Sequence, residues 1–224
     1  MFPVYDDNQA ASKPYITWAL IAINVIVFLG EVSMPEASLN SFIDTWGAVP
    51  AQITHNPDSQ SFTTLLTSIF LHGGWSHLIG NMWFLHLFGD NVEDRMGHFK
   101  YLVFYLLCGV AASIAQIVSN TNAVLPTVGA SGAISGVLGA YVILFPHARI
   151  RTYFGWYMSA WVSAYFFIAI WFIMQFTSAL GSTALDGVKT GGVAFWAHVG
   201  GFTAGVILVW LFAKRNSGSN REYN

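Results

Sequence analysis

Four polar side chains sit in or at the mouth of long apolar runs: His77, Asn81, Ser131 and His198. A polar group in hydrocarbon is expensive, which makes each a candidate for function. Ser131 stands in Gly129-Ala130-Ser131-Gly132, just after a break made by Ser119-Asn120-Thr121-Asn122 and Pro126. Beyond it the chain turns apolar again, so Ser131 falls in the first turn of a helix. Backbone N–H groups there lack intrahelical partners and favour negative charge. A serine so placed can attack a carbonyl while its own N–H donates to the oxyanion that forms. Its hydroxyl needs a base, and His198 is the candidate. The plainer alternative is that Ser131 only caps its helix, and Gly-x-Ser-Gly alone does not decide between them.

No carboxylate accompanies the pair. Asp90, Glu93 and Asp94 fall toward the opposite membrane face, while Glu36, Asp44, Asp58 and Asp186 lie in outer loops. The expectation is therefore a Ser–His dyad, with the imidazole held by packing or by a neutral hydrogen bond. Asn81 has two amide donors and lies one helical turn from His77, on the same face. These two, with Gly129, are the candidates for stabilising an oxyanion and the substrate. His72, just ahead of Gly73-Gly74-Trp75, is a supporting candidate. His86 lies on the opposite helical face from His77 and reads as a packed or interfacial residue, and His55, His98 and His147 fall in loops. Metal binding by His72, His77 and His198 is conceivable, but no cysteine or carboxylate joins them. The single cysteine, Cys108, sits within an apolar run and excludes an intrachain disulfide.

The elements that position these residues follow from composition. Of 224 residues, 54% are hydrophobic and only 9% charged, against about 25% charged in soluble domains. The net charge of −2 gives no reason to expect a nucleic-acid partner. Apolar runs predict an all-α membrane protein with six spans, at residues 15–32, 74–89, 101–118, 131–145, 158–179 and 194–212. Residues 1–14 read as an N-terminal segment, 15–213 as the six-span domain and 214–224 as a tail. The first run meets no small-residue cleavage site and reads as a retained span. With six spans, eight of the nine Lys and Arg fall on one side, Lys189 being the exception. The positive-inside rule then puts both termini in the cytoplasm. Spans 2, 4 and 6 all run inward, and each carries its polar candidates in its first turns, so His77, Asn81, Ser131 and His198 share a depth. Gly132, Gly136 and Gly139 on span 4, and Gly201 and Gly205 on span 6, form small-residue stripes that permit close helix approach. The loop from 33 to 73 lacks Lys and Arg but holds Phe42, Trp46 and Leu65, so part of it is expected at the membrane interface.

The chain resembles the rhomboid family of intramembrane proteases. Three motifs carry the resemblance: His72-Gly-Gly-Trp-Ser-His77-Leu-Ile-Gly-Asn81, Gly129-Ala-Ser-Gly132 and Ala197-His198-Val-Gly-Gly201-Phe-Thr-Ala-Gly205. Trp46-Gly-Ala-Val-Pro50 and Glu93 with Gly97 are similar to lesser family features. The resemblance implies cleavage of transmembrane protein substrates in the lipid bilayer without metal or cofactor, with Ser131 as nucleophile, His198 as base, and Asn81 and His77 at the oxyanion. It also implies a mobile cap formed by residues 181–192. Two positions depart from patterns found in some members: Thr63-Thr64 replaces a Trp-Arg pair, and Ser135 replaces a tyrosine that packs on the catalytic imidazole. Two rivals remain: a non-catalytic relative that binds membrane proteins, and a transporter. The short six-span chain suggests a prokaryotic inner membrane.

Overall fold

The computed structural model describes residues 2–154, 158–184 and 194–214. Strand β1 (Phe2–Asp6) precedes helix α1 (Tyr15–Ser33). Three short helices follow, α2 (Glu36–Trp46), α3 (Pro50–His55) and α4 (Ser59–Thr67), then a 3-10 turn (Ser68–Phe70). Helices α5 (Trp75–Met96), α6 (His98–Ser119) and α7 (Ser131–Leu144) come next. Strands β2 (Arg149–Phe154) and β3 (Met158–Ser163) lead into α8 (Ala164–Ala184), and α9 (Phe195–Phe212) ends the described chain. Three helices are long and apolar enough to cross a membrane, α1, α6 and α9, and two shorter apolar helices cover Ser131–Leu144 and Ala164–Ser178. Bulky apolar side chains such as Trp18, Ile26, Ile173 and Trp210 point outward, as lipid-facing surfaces require. The protein is a multi-pass membrane protein built on an all-α core.

Helix α7 is the axis of that core. Every residue from Gly132 to Tyr141 is buried, and α5, α6, α8 and α9 all touch it. The two glycine stripes meet each other. A methyl group on Gly201 would overlap the Gly132 carbonyl, and one on Gly205 the Gly136 carbonyl. Backbones this close gain dispersion contact along their whole length, the main attraction available between helices in lipid.

Two features differ from the sequence expectation. The run read as a fifth span at 158–179 begins as strand β3, and its helix spans Ala164–Ala184. The strand forms a three-stranded antiparallel sheet in the order β1-β2-β3, with Arg151 paired to both Tyr5 and Trp161. Residues 149–163 are rich in aromatic and β-branched types, which suit a pleated ladder. Their average hydropathy hid that signal. The sheet clasps one end of the bundle: Trp83 donates to the Pro3 carbonyl at 2.8 Å, Asn8 donates to Asn91 at 2.9 Å, and Tyr141 donates to the Asp6 carboxylate.

Basic residues gather at that same end. Arg149 pairs with Asp7 at 2.8 Å, and Lys214 donates to the Asp94 carbonyl at 3.0 Å. Glu93, fully buried, accepts from the Ile16 and Thr17 amides at 2.9 and 2.8 Å, from the Thr17 hydroxyl at 2.7 Å and from His98 at 2.6 Å. A carboxylate at the start of α1 satisfies donors the helix cannot, and it meets the positive end of the dipole.

Candidate active site

The segment ahead of Ser131 is braced from the opposite end of the bundle. Ala48 and Thr127 exchange backbone hydrogen bonds at 3.1 and 2.8 Å, and the Thr67 hydroxyl donates to the Trp46 carbonyl at 2.7 Å. Gly129 donates to the Ser68 carbonyl at 2.8 Å. The loop from 33 to 73 therefore reaches in to hold the segment that leads into Ser131. Asp58 begins α4 with a reciprocal capping box to Ser61, which fixes where the bracing helix starts. Thr63 and Thr64, where some relatives carry Trp-Arg, bond only backbone carbonyls within α4.

Gly129 adopts φ +125°, a conformation that side chains disfavour. A Cβ there would lie 2.6 Å from His77 Cε1. The glycine thus lets the chain turn into α7 and leaves room for the His77 ring beside that turn. Ser131 is the first residue of α7, as its sequence context predicts.

From α9, His198 reaches Ser131: Nε2 to Oγ is 2.8 Å, within range for direct proton transfer. His198 is 7% exposed, so bulk water does not compete for this bond. The other ring nitrogen, Nδ1, lies 2.7 Å from Gln175 Oε1 on α8. Ser135, in the position where some relatives carry a ring, turns away and donates to the Ser131 carbonyl at 2.6 Å. Trp171 of α8 faces the imidazole instead, with centroids 5.9 Å apart.

The remaining candidates lie beside this pair in a continuous chain. His77 touches Gly129, and its ring centre is 5.2 Å from that of His72. His72 Nε2 meets the Asn81 amide nitrogen at 3.0 Å, so one of the two Asn81 donors is engaged. Glu31, buried in α1, accepts from the His72 backbone N–H. No hydrogen bond joins Asn81 or His77 to Ser131 among the described residues. His86 is exposed, as its helical face implies, and Cys108 is buried against Gly136. Most of the expected cap at 181–192 lies outside the described residues.

A cavity of about 20 Å³ adjoins Ser131, lined in part by Ser68, Ser113, Thr127, Gly129 and Ala197. That is room for one water molecule among polar partners.

Sequence reasoning missed Gln175 and Glu31. The available signal was the one that found His77 and Asn81, a strongly polar residue within an apolar run. Gln175 belongs to no motif, and Glu31 reads as the end of a span.

Helices, glycine contacts and the Ser–His hydrogen bond together define a membrane-embedded serine-hydrolase-type site. Residues 59–215 match the Rhomboid domain family, and the chain belongs to the rhomboid family. It is 30% identical over 219 residues to Rhomboid-like protein 11, chloroplastic, of Arabidopsis thaliana, covering 95% of this chain and 71% of that protein. Rhomboid protein 1, mitochondrial, of Saccharomyces cerevisiae is 29% identical over 205 residues, covering 89% of this chain and 54% of that protein. Rhomboid protease GluP of Bacillus subtilis is 35% identical over 135 residues, 59% of this chain and 25% of that protein. The chain thus spans about half the length of the yeast relative and a quarter of the bacterial one.

Proposed function

We propose that the protein is an intramembrane serine endopeptidase that cleaves transmembrane segments of other membrane proteins with a Ser131–His198 dyad. The single observation that carries this is the 2.8 Å contact between His198 Nε2 and Ser131 Oγ at the start of a buried helix. His198 takes the hydroxyl proton as Ser131 Oγ bonds to the scissile carbonyl carbon. The Ser131 N–H, Asn81 and His77 then stabilise the oxyanion, with Gly129 shaping the turn and His72 holding Asn81. Collapse of that intermediate breaks the C–N bond, and His198 returns the proton to the leaving amine. Water then attacks the acyl-enzyme, again with His198 as base, and restores Ser131. The cavity beside Ser131 supports that second half.

The six helices α1 and α5–α9 are read as the six spans, within residues 15–213. Basic residues cluster at the sheet end, which supports placing both termini in the cytoplasm and the site toward the outer face; the membrane is read as a prokaryotic inner membrane. A fluorophosphonate probe tests the reading. Purified wild type should be labelled covalently and cleave a transmembrane substrate, and Ser131→Ala should do neither. A wild type that resists the probe and leaves substrates intact overturns the proposal and favours a non-catalytic binding role.

A further inference from the structure

A histidine acts as a base toward Ser131 only if Nε2 is unprotonated, and therefore only if its proton sits on Nδ1. In a Ser–His–Asp triad a carboxylate enforces that tautomer. Here the atom opposite Nδ1 is Gln175 Oε1, at 2.7 Å. A carbonyl oxygen can only accept, so this contact fixes the proton on Nδ1 and leaves the Nε2 lone pair facing Ser131 Oγ. Were the amide turned to present its nitrogen, Nδ1 would become the acceptor. Nε2 would then carry the proton, and the pair would have the wrong polarity for proton abstraction. The two arrangements exclude each other.

Helix α8 adds a second contact from the same face. Trp171 lies one turn before Gln175, which puts both on the His198 side, and its ring is tilted 40° to the imidazole at 5.9 Å. Phe195 of α9 meets the imidazole edge-on at 6.5 Å. The other titratable group acting on His198 is His77 of α5; no carboxylate hydrogen-bonds its imidazole among the described residues. A neutral amide suits this place, since a carboxylate within an apolar helix would add a buried charge that the resting imidazole does not balance.

We propose that Gln175 is the third, uncharged member of the catalytic constellation: a positioning residue that holds His198 in its Nδ1-protonated tautomer. The inference rests on the dyad reading above, and it makes alignment of the base depend on α8 being packed against α9.

The test uses full-length protein in detergent with Gln175→Leu and Gln175→Glu. Gln175→Leu keeps the volume and removes the acceptor. It should lower kcat by about 10²-fold, the lower range of a general base's contribution, with KM and thermal midpoint near wild type. Gln175→Glu restores an acceptor and adds charge. It should recover turnover and shift the acidic limb of the kcat/KM profile to higher pH, because the carboxylate favours the imidazolium. Nitrogen NMR of ring-labelled histidine supplies a readout independent of activity: His198 should be Nδ1-protonated in wild type and a tautomer mixture in Gln175→Leu. Wild-type kcat, pH profile and tautomer in Gln175→Leu would overturn the inference. An Nε2-protonated wild-type His198 would do so even if Gln175→Leu fails to fold. A wild type with the expected tautomer but no reaction with fluorophosphonate would instead defeat the dyad reading.

Discussion

Gly205 of α9 lies against the Gly136 carbonyl of α7 so closely that a single methyl group on Gly205 would overlap that oxygen. Gly205 lies two helical turns from His198 on the same helix, and with the Gly201–Gly132 contact it holds α9 close against α7. Gly205→Val should force the helices apart and cost about 1–3 kcal/mol, as overpacking does. Fluorophosphonate labelling of the folded fraction should fall as well. A folded variant that labels at the wild-type rate would show that the glycine contact does not set the dyad distance.

Ser131→Ala and His198→Ala should each abolish cleavage, and the double variant should be no slower than either. Residues that act as one unit are not additive. Cleavage of one transmembrane substrate by all three proteins in detergent decides this. Appreciable turnover by either single variant removes the central assignment.

Asn81→Ala should be impaired but active, because the Ser131 N–H remains to meet the oxyanion. Removal of one donor costs about 10²–10³ in kcat, and the effect should fall on turnover more than on KM. His77→Ala should behave alike. Asn81 also bonds His72, so a thermal midpoint must accompany the kinetics. Unchanged turnover in a folded Asn81→Ala protein would make Asn81 a packing residue.

Glu93→Gln should weaken the fold and spare the chemistry. Its carboxylate accepts from two amides and a hydroxyl at the start of α1, and a glutamine would set an NH₂ against one of those donors. The expected loss is about 2–4 kcal/mol, read as a lower thermal midpoint with a normal labelling rate for the folded protein. Equal midpoints would mean that the buried carboxylate contributes nothing net.

Burial raises the Asp6 carboxyl to about 6; the Tyr141 hydrogen bond opposes this and the negative charge of Asp90 adds to it. A carboxyl whose folded pKa exceeds its unfolded value, about 4, holds its proton more tightly when folded. Its stabilising contribution is complete below about pH 4 and is lost as pH rises through about 6. Asp6→Asn removes that loss while keeping an acceptor for Tyr141. The midpoint of Asp6→Asn relative to wild type should therefore rise from pH 4 to pH 7. A difference that stays constant with pH would show that Asp6 does not titrate differently in the fold.

The helices and the dyad could be read from the sequence because lipid makes polar residues conspicuous. Ser131, His198, His77 and Asn81 each break an apolar run, and five of the six expected spans match helices to within a few residues at the ends that face the site. Two kinds of information were hidden. The sheet was one: β3, Met158–Ser163, was absorbed into a span by averaged hydropathy, and its pairing with β2 through Trp161 and Arg151 was not visible. Side-chain pairing across helices was the other. Gln175 is separated from His198 by 23 positions, and only the packing of α8 on α9 reveals that its carbonyl faces Nδ1. The glycine stripes lay between these extremes, with their spacing visible and their partners not.

The strand that clasps the bundle is made before the strands it pairs with. Phe2 pairs with Tyr153, and Asp6 with Ile150, so β1 has no partner until the polypeptide through α7 and β2 has been made. Pairings between residues so distant in sequence form slowly, because the intervening loop must close before any bond compensates. Assembly therefore has a direction: α1 and α5–α7 are synthesised while the N-terminus waits unpaired, and the sheet is completed only after β3 emerges. Residues 2–6 thus act as a late latch that ties the segment ahead of α1 to α7 once the sheet closes.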